Sequence, residues 1–334
     1  MNIIVDACGG DNGAAEAIKG CVAAARDFNV DITLVGNEPD ICTELKAYDD
    51  TARIHVVHAD GVIDNYDSPV EAIKRKKNSS MVMGLRMLKE GSGDGFLSAG
   101  NTGALLAGAT LIVGRLKGVE RPALAPFLPK DKGVFMLLDA GANTNCKPVN
   151  LVQFAIMASA YVKHVLGVRS PKVSLLNVGA EDGKGDDLRK KAFALLKKAP
   201  VAFAGNIEAR DIPYTDADIV VADGFTGNVA LKLYEGVAGY FINMMKGMFY
   251  KNMASKMAAA VMKGSLKDFK NKMDYTEYGG APLLGVKKPV FKTHGSSKAK
   301  EFYHTIEKIK IFSETNILDE IKDCIKQVGV IDNE

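Results

Sequence analysis

Seven times along this chain a short apolar run stops in a cluster of Gly, Asn, Asp or Ser. The runs are IIVDACGGD (to Asp11), FLSAGNTG (to Gly103), FMLLDAGAN (to Asn143), SLLNVGAEDGKG (to Gly185), VAFAGNIE (to Glu208), IVVADGFTGN (to Asn228) and VFKTHGSS (to Ser297). Open α/β sheets bind ligands in the crevice beyond the carboxyl ends of their strands. Gly lets the backbone approach a ligand closely, and small polar side chains add donors without filling the space. A turn needs one Gly or Asn, so the repetition points to the floor of an anion site.

The individual motifs differ in weight. VGAEDGKG is not a P-loop: Gly179 and Gly183 enclose three residues, and Gly185 follows Lys184 where a Ser or Thr is required. Lys184 beside exposed backbone donors could still hold a phosphate or thioester oxygen. DACGGDNG lacks the GxGxxG spacing of a dinucleotide fingerprint, and GSGDG at 91–95 precedes a strand, which argues against a dehydrogenase. SAGNTG is the sharpest phosphate candidate, with Ser98, Asn101 and Thr102 between a strand and a helix start. Capping alone would also explain Asn101 and Thr102, and the two roles are compatible. In ADGFTGN, Asp223 and Asn228 flank two glycines, and capping needs only one of them. His294 stands at a strand end beside two serines, where a structural and a chemical role are equally open.

Two surface features stand apart. KRKKN at 74–78 places Lys74, Arg75, Lys76 and Lys77 consecutively on an expected helix, either a solvated face or a dock for an acidic partner. In NMASKMAAAVMKG, Met253, Met257, Ala260 and Val261 share one face with the lysines off it. That face would pack on a partner subunit or lie on an anionic bilayer surface.

The elements that must position these groups alternate. Strands are predicted at 2–7, 31–36, 53–59, 95–99, 134–140, 172–178, 201–204, 219–222 and 290–293, and helices at 14–27, 69–90, 104–116 and 149–166. Alternation with near-continuous apolar strands predicts an α/β fold, a mostly parallel sheet flanked by helices. The pattern breaks into a Met-rich helical insertion over 229–273, and a peripheral amphipathic helix is predicted over 312–334 (Ile317, Leu318, Ile321, Ile325, Val328). This divides the chain into one α/β unit, 1–311, and a C-terminal helical extension, 312–334.

Composition bounds the function classes. A net charge of +3 is too mild to imply nucleic acid. Five scattered cysteines without a CxxC pair, and no HExxH or Cys/His cluster, predict reduced thiols, no metal site and a cytosolic protein. The opening NIIVDA shows no signal-peptide pattern, and nowhere do 18 apolar residues run uninterrupted.

In combination and order, the motifs resemble the PlsX-type phosphate acyltransferases of bacteria. The resemblance rests on DACGGD, VHA, PVEAIKRKKNSSM, SAGNTGALLAG, GRLKGVERPALA, LLDAGANTNCKP, LLNVGAEDGKG, GNIEARDI, VVADGFTGNVALK and DYTEYGGAPLLGVKKPVFKTHGSS, over about residues 2–300. The departures are Cys8 for a usual Met, Ala180 for a common acidic residue, and an extension beyond about Ile311 that most members are expected to lack.

The resemblance implies a three-layer fold like that of isocitrate dehydrogenase and phosphotransacetylase. It implies transfer of a fatty acyl group from acyl carrier protein to inorganic phosphate, giving acyl phosphate for phospholipid synthesis, without a cofactor. It further implies a homodimer, peripheral contact with the inner face of the cell membrane, and hand-over of acyl phosphate to a membrane glycerol-3-phosphate acyltransferase. On that chemistry, phosphate falls to Ser98, Asn101, Thr102 and the backbone at Gly9, Gly10 and Gly103. Lys184, Asn143, Asn228 and His294 would polarise the carbonyl or protonate the leaving group, oriented by Asp6, Asp11, Glu208 and Asp223. Lys74 to Lys77 would dock acidic acyl carrier protein. The rivals are a short-chain acyltransferase acting on coenzyme A thioesters, a dehydrogenase of similar fold, and a non-catalytic membrane scaffold.

Overall fold

The computed structural model describes residues 1–266, 269 and 278–331, with side chains to residue 327. Residues 267, 268 and 270–273 of the expected insertion, 274–277 of DYTEYGG, the side chain of Val328 and residues 332–334 lie outside the described residues.

The expected α/β architecture is present, divided between two sheets. The larger holds β1 (Asn2–Asp6), β2 (Asp31–Gly36), β3 (Ile54–His58), β4 (Gly95–Ser98), β5 (Ala123–Leu124), β11 (Ala281–Leu284) and β12 (Val290–Lys292), ordered β3-β2-β1-β4-β12-β11-β5. The smaller holds β6 (Phe127–Pro129), β7 (Val134–Leu138), β8 (Lys172–Asn177), β9 (Ala202–Glu208) and β10 (Ile219–Val221), ordered β6-β7-β10-β8-β9. Every predicted strand forms. Pairing is parallel except where β5, β6 and β11 take part.

Those three are the strands missing from the sequence reading, and the reason is proline. Pro126, Pro129 and Pro282 interrupt the runs, and Pro demotes a run to an edge or a non-strand. Residues 123–129 are the segment that leaves the larger sheet and enters the smaller.

Helices cover both sheets. On one face of the larger sheet, α4 (Ser80–Glu90) and α5 (Thr102–Gly108) close a core around Ile4, Val35, Met81 and Phe96. On the other, α1 (Gly13–Phe28) packs with α10 (Ala299–Glu314). α6 (Pro148–Val165) is buried along most of its length, as its nearly all-round apolar surface requires. α11 (Ile317–Ile331) packs on it through Ile317, Ile321 and Ile325, so this last helix belongs to the core and is not a peripheral cap.

Two helix expectations need correction. The single helix expected over 69–90 is α3 (Pro69–Arg75) and α4, separated at Lys76–Ser79 because Ser79 turns its hydroxyl to the Val82 N–H and caps α4. Lys76 and Lys77 therefore stand off the helix. The insertion is continuous with α8 (Gly224–Phe249), which starts at a strand end and runs about 39 Å at 1.5 Å per residue. Only its first turns are buried; beyond them Leu233, Tyr240, Met248 and, on α9 (Met253–Val261), Met253, Met257 and Val261 are exposed. Among the described residues no helix is long and apolar enough to cross a membrane.

Candidate active site

Three adjacent parallel strands end together. Register pairs Asp6 with Ser98 and Ser98 with Lys292, so these residues form one row across β1, β4 and β12 and share a sheet face. Asp6 is buried and accepts hydrogen bonds from Ser80 Oγ and Ser98 Oγ, each at 2.7 Å, and from the Cys8 N–H. Ser98 Oγ in turn accepts the Gly100 N–H at 3.0 Å. Lys292 Nζ donates to the carbonyls of Ala99 and Thr293.

The loops that follow are pressed together. A Cβ on Gly9 would sit 2.7 Å from both Asp6 Oδ2 and the Gly100 nitrogen, so only glycine fits where the first two loops meet. The Asp11 N–H donates to the Gly295 carbonyl at 2.8 Å, and Asn12 Nδ2 donates to the Ser296 and Ser297 carbonyls. Residues 8–13, 98–103 and 293–297 thus form one rigid floor.

The facing wall comes from the smaller sheet. Asp139, fully buried after β7, accepts the Leu124 and Ala142 N–H groups on Oδ1, and the Asn143 N–H and Nδ2 on Oδ2. Burial pushes its carboxyl up, and those four donors act against the shift. The start of α8 packs on this loop. Asp223 caps it through the Thr226 N–H and is held by Arg189. Burial would raise the Asp223 carboxyl, yet Thr226 and Arg189 together bring it below its ordinary value.

Between floor and wall lies a cleft of about 340 Å³. Its polar lining is Thr102, Gly103, Lys292, Thr293, His294 and Glu301 from the floor side, with Asn228 and Lys232 from α8. Lys232 is paired with Glu235 at 2.9 Å, and His294 Nδ1 lies 2.8 Å from Ser296 Oγ. Thr293 Oγ1 is buried with no hydrogen-bond partner among the described residues. Burial lowers Lys292 to about 8, against the opposing pull of Glu301, Asp11 and Asp6. The rest of the lining is apolar, chiefly Leu105, Leu106, Leu124, Phe127, Leu231 and Leu283. A cleft whose lining combines hydrogen-bond donors with leucines suits a molecule with an anionic or carbonyl head and a hydrocarbon chain.

The sequence-selected residues fall into three groups. Gly9 and Gly10 lie in the floor, and Thr102, Gly103, Asn228 and His294 line the cleft, with Asp11 beside it. Ser98, Asn101, Asn143, Asp6 and Asp223 are brought to the same region but are committed to the scaffold. Both Asn143 amide hydrogens are used, on Pro122 O and Asp139, so it has none for a ligand. Asn101 accepts the Ala104 N–H and donates to the Asp64 and Asn65 carbonyls, which is capping and loop tethering. Asn101→Ala should therefore lower stability by about 1–2 kcal/mol while leaving the phosphate KM of the folded fraction near wild type. Paired thermal melts and phosphate titrations check this; a KM rise without a stability loss would restore its ligand role.

Lys184 and Glu208 stand elsewhere. They follow β8 and β9, separated from β7 by β10, and Glu208 lines a different groove while its carboxylate pairs with Arg210. Lys184 is 54% exposed, 3.9 Å from Glu181. Neither reaches the cleft within one chain. Sequence reasoning missed Lys292, Asp139 and Arg189. For Lys292 a signal existed: a lysine closing the apolar run VFK must justify its place in a sheet covered on both faces.

The comparisons with known proteins agree with this geometry. The family model described as "Fatty acid synthesis protein" matches residues 1–319. A phosphate acyltransferase of Alkaliphilus oremlandii is 48% identical over 98% of both chains, and one of Acetivibrio thermocellus is 48% identical over 100% of this chain and 99% of its own. These alignments run through the C-terminal helices, so the expectation that relatives lack the extension is corrected. Among solved structures, a phosphotransacetylase from Staphylococcus aureus aligns with a TM-score of 0.60 at 15% identity, covering 94% of each chain. A branched-chain phosphotransacylase from Enterococcus faecalis gives 0.59 at 17%, covering 95% of this chain and 100% of its own, and these two likenesses establish the shared fold. The chain belongs to the fatty acid synthesis protein family, and its class of chemistry is acyl transfer.

Proposed function

We propose that this protein moves a fatty acyl group from the thioester of acyl carrier protein to inorganic phosphate, releasing acyl phosphate for phospholipid synthesis. The observation that carries the reading is the cleft itself, whose lining brings Lys292, Thr293 and His294 together with several leucines. Phosphate at neutral pH is already a nucleophile and a thiolate leaves readily, so the protein need only align the two and stabilise the oxyanion. Cys146, the cysteine nearest the wall loops, has its thiol pushed up to about 11 by burial and offers no thiolate attack. The apolar lining favours a long acyl chain over the short-chain coenzyme A alternative. Incubation with long-chain acyl carrier protein thioester, with and without phosphate, tests this. Phosphate-dependent release of free thiol and acyl phosphate is expected, and no release would sink it.

Acidic acyl carrier protein is proposed to dock on Lys74, Arg75 and Lys77. Lys76 is set apart because it pairs with Asp67 and Asp64 and closes the loop before α3. Reversing Lys74, Arg75 and Lys77 together to Glu should raise the acyl carrier protein KM by about tenfold at low salt and change kcat little. A KM that ignores both the reversal and ionic strength rejects the docking site. The exposed apolar residues of α8 and α9 support a homodimer whose helices touch the inner face of the membrane, where a glycerol-3-phosphate acyltransferase would receive the product.

A further inference from the structure

We propose that Lys292 is the proton relay of the cleft, its ammonium giving a proton to the departing sulfur and taking one back from the phosphate hydroxyl. The inference rests on the acyl-transfer reading above. In that reaction an oxygen of hydrogen phosphate bonds to the thioester carbon, the C–S bond breaks, and the products are an acyl phosphate and a thiol. The nucleophile arrives carrying a P–OH proton and the sulfur leaves needing one. One proton must therefore travel between them, and no oxidant or other reactant enters.

The geometry of Lys292 fits that task. An ammonium has three N–H donors. Two are directed at the Ala99 and Thr293 carbonyls, fixing the nitrogen at the end of the Asp6, Ser98, Lys292 row, while the side chain lines the cleft. A neutral amine keeps both of those bonds after the third hydrogen departs, so the group can cycle without moving. The other basic groups of the cleft are less suited: Lys232 is tied to Glu235, and His294 is turned to Ser296.

The charges facing Lys292 come from every side. Asp6 of β1, Asp11 of the loop after it and Glu301 of α10 favour the ammonium, Lys232 of α8 opposes it, and burial outweighs them to leave it at about 8. An alkyl thiol titrates at about 8.5, so donor and leaving group are matched, as general acid catalysis requires. Protonated Lys292 is the starting form, so the rate should fall as pH rises through about 8.

The leaving group provides the test. With inorganic phosphate and an acyl-pantetheine thioester, Lys292→Met should lower kcat by roughly 100-fold or more. With the matching acyl thiophenyl ester, whose thiolate leaves unprotonated, the loss should shrink to under about tenfold. A purely structural role would depress both alike, and equal losses overturn the relay. Lys292→Arg keeps the charge but cannot release a proton, so it should fail on the alkyl thioester at near-normal phosphate KM. Rescue of kcat by arginine overturns the relay in favour of a fixed charge. The wild-type profile with acyl carrier protein thioester needs no variant: kcat should fall roughly tenfold per pH unit above about 8, and a flat profile to pH about 9.5 overturns the relay. A wild type that forms no acyl phosphate from any thioester removes the acyl-transfer reading itself. An active wild type with equal losses removes the relay alone.

Discussion

Asp139→Ala is expected to be the most damaging single change outside the cleft lining, lowering stability by about 3–5 kcal/mol. Its carboxylate receives four N–H groups from three residues, and these lie on two separate parts of the joint. Leu124 lies on the segment that crosses from the larger sheet to the smaller. Ala142 and Asn143 shape the loop on which α8 rests. Alanine would leave these donors buried without an acceptor, and an unmet buried donor costs about 1–3 kcal/mol. Asp139→Asn does not repair the site, because an NH2 group would face incoming N–H donors. Both variants should therefore show a large fall in the thermal unfolding midpoint and lose activity with it. An Asp139→Ala protein that melts within about 1 kcal/mol of wild type would show that the joint is held by other contacts.

The parallel strands were legible because each is a near-continuous apolar run, and the fold class followed from their alternation with helices. The three antiparallel strands were not, because each is short and interrupted or bounded by proline. The site was legible as a set of strand ends, and three of the seven do form one floor. What a sequence cannot carry is the order of strands across a sheet. The ends of β8 and β9 read like the others, yet β10 lies between them and β7, which leaves Lys184 and Glu208 out of the cleft lining, Glu208 in another groove. Register hid the reverse case. Asp6, Ser98 and Lys292 are widely separated in sequence but occupy one row. Ser98, Asn101 and Asn143 were selected for polarity, and burial turned that polarity inward to the backbone.

Gly227→Ala should be nearly as severe, though it adds one methyl group to a helix. Helical propensity alone predicts a gain of about 1 kcal/mol from Gly to Ala. Here the new Cβ would lie 1.9 Å from the Asp139 carbonyl oxygen and 3.0 Å from its carbon, both backbone atoms that cannot rotate away. α8 must then lift from the loop, and overpacking against fixed backbone should cost about 3 kcal/mol or more. Asn228 and Lys232 ride on the same helix into the cleft, so the lift also misplaces them. A displacement near 1 Å costs about 100-fold in rate. The internal control is Gly247→Ala, later in α8, where an added Cβ meets nothing within 4 Å. That change should be neutral or stabilising by up to about 1 kcal/mol with activity retained. The comparison isolates contact from propensity: equal melting points for the two alanine variants would mean α8 does not rest on the Asp139 loop. Since α8 carries both a cleft wall and the exposed apolar extension, a fixed base is what couples the two, and Gly227 is where that base is closest.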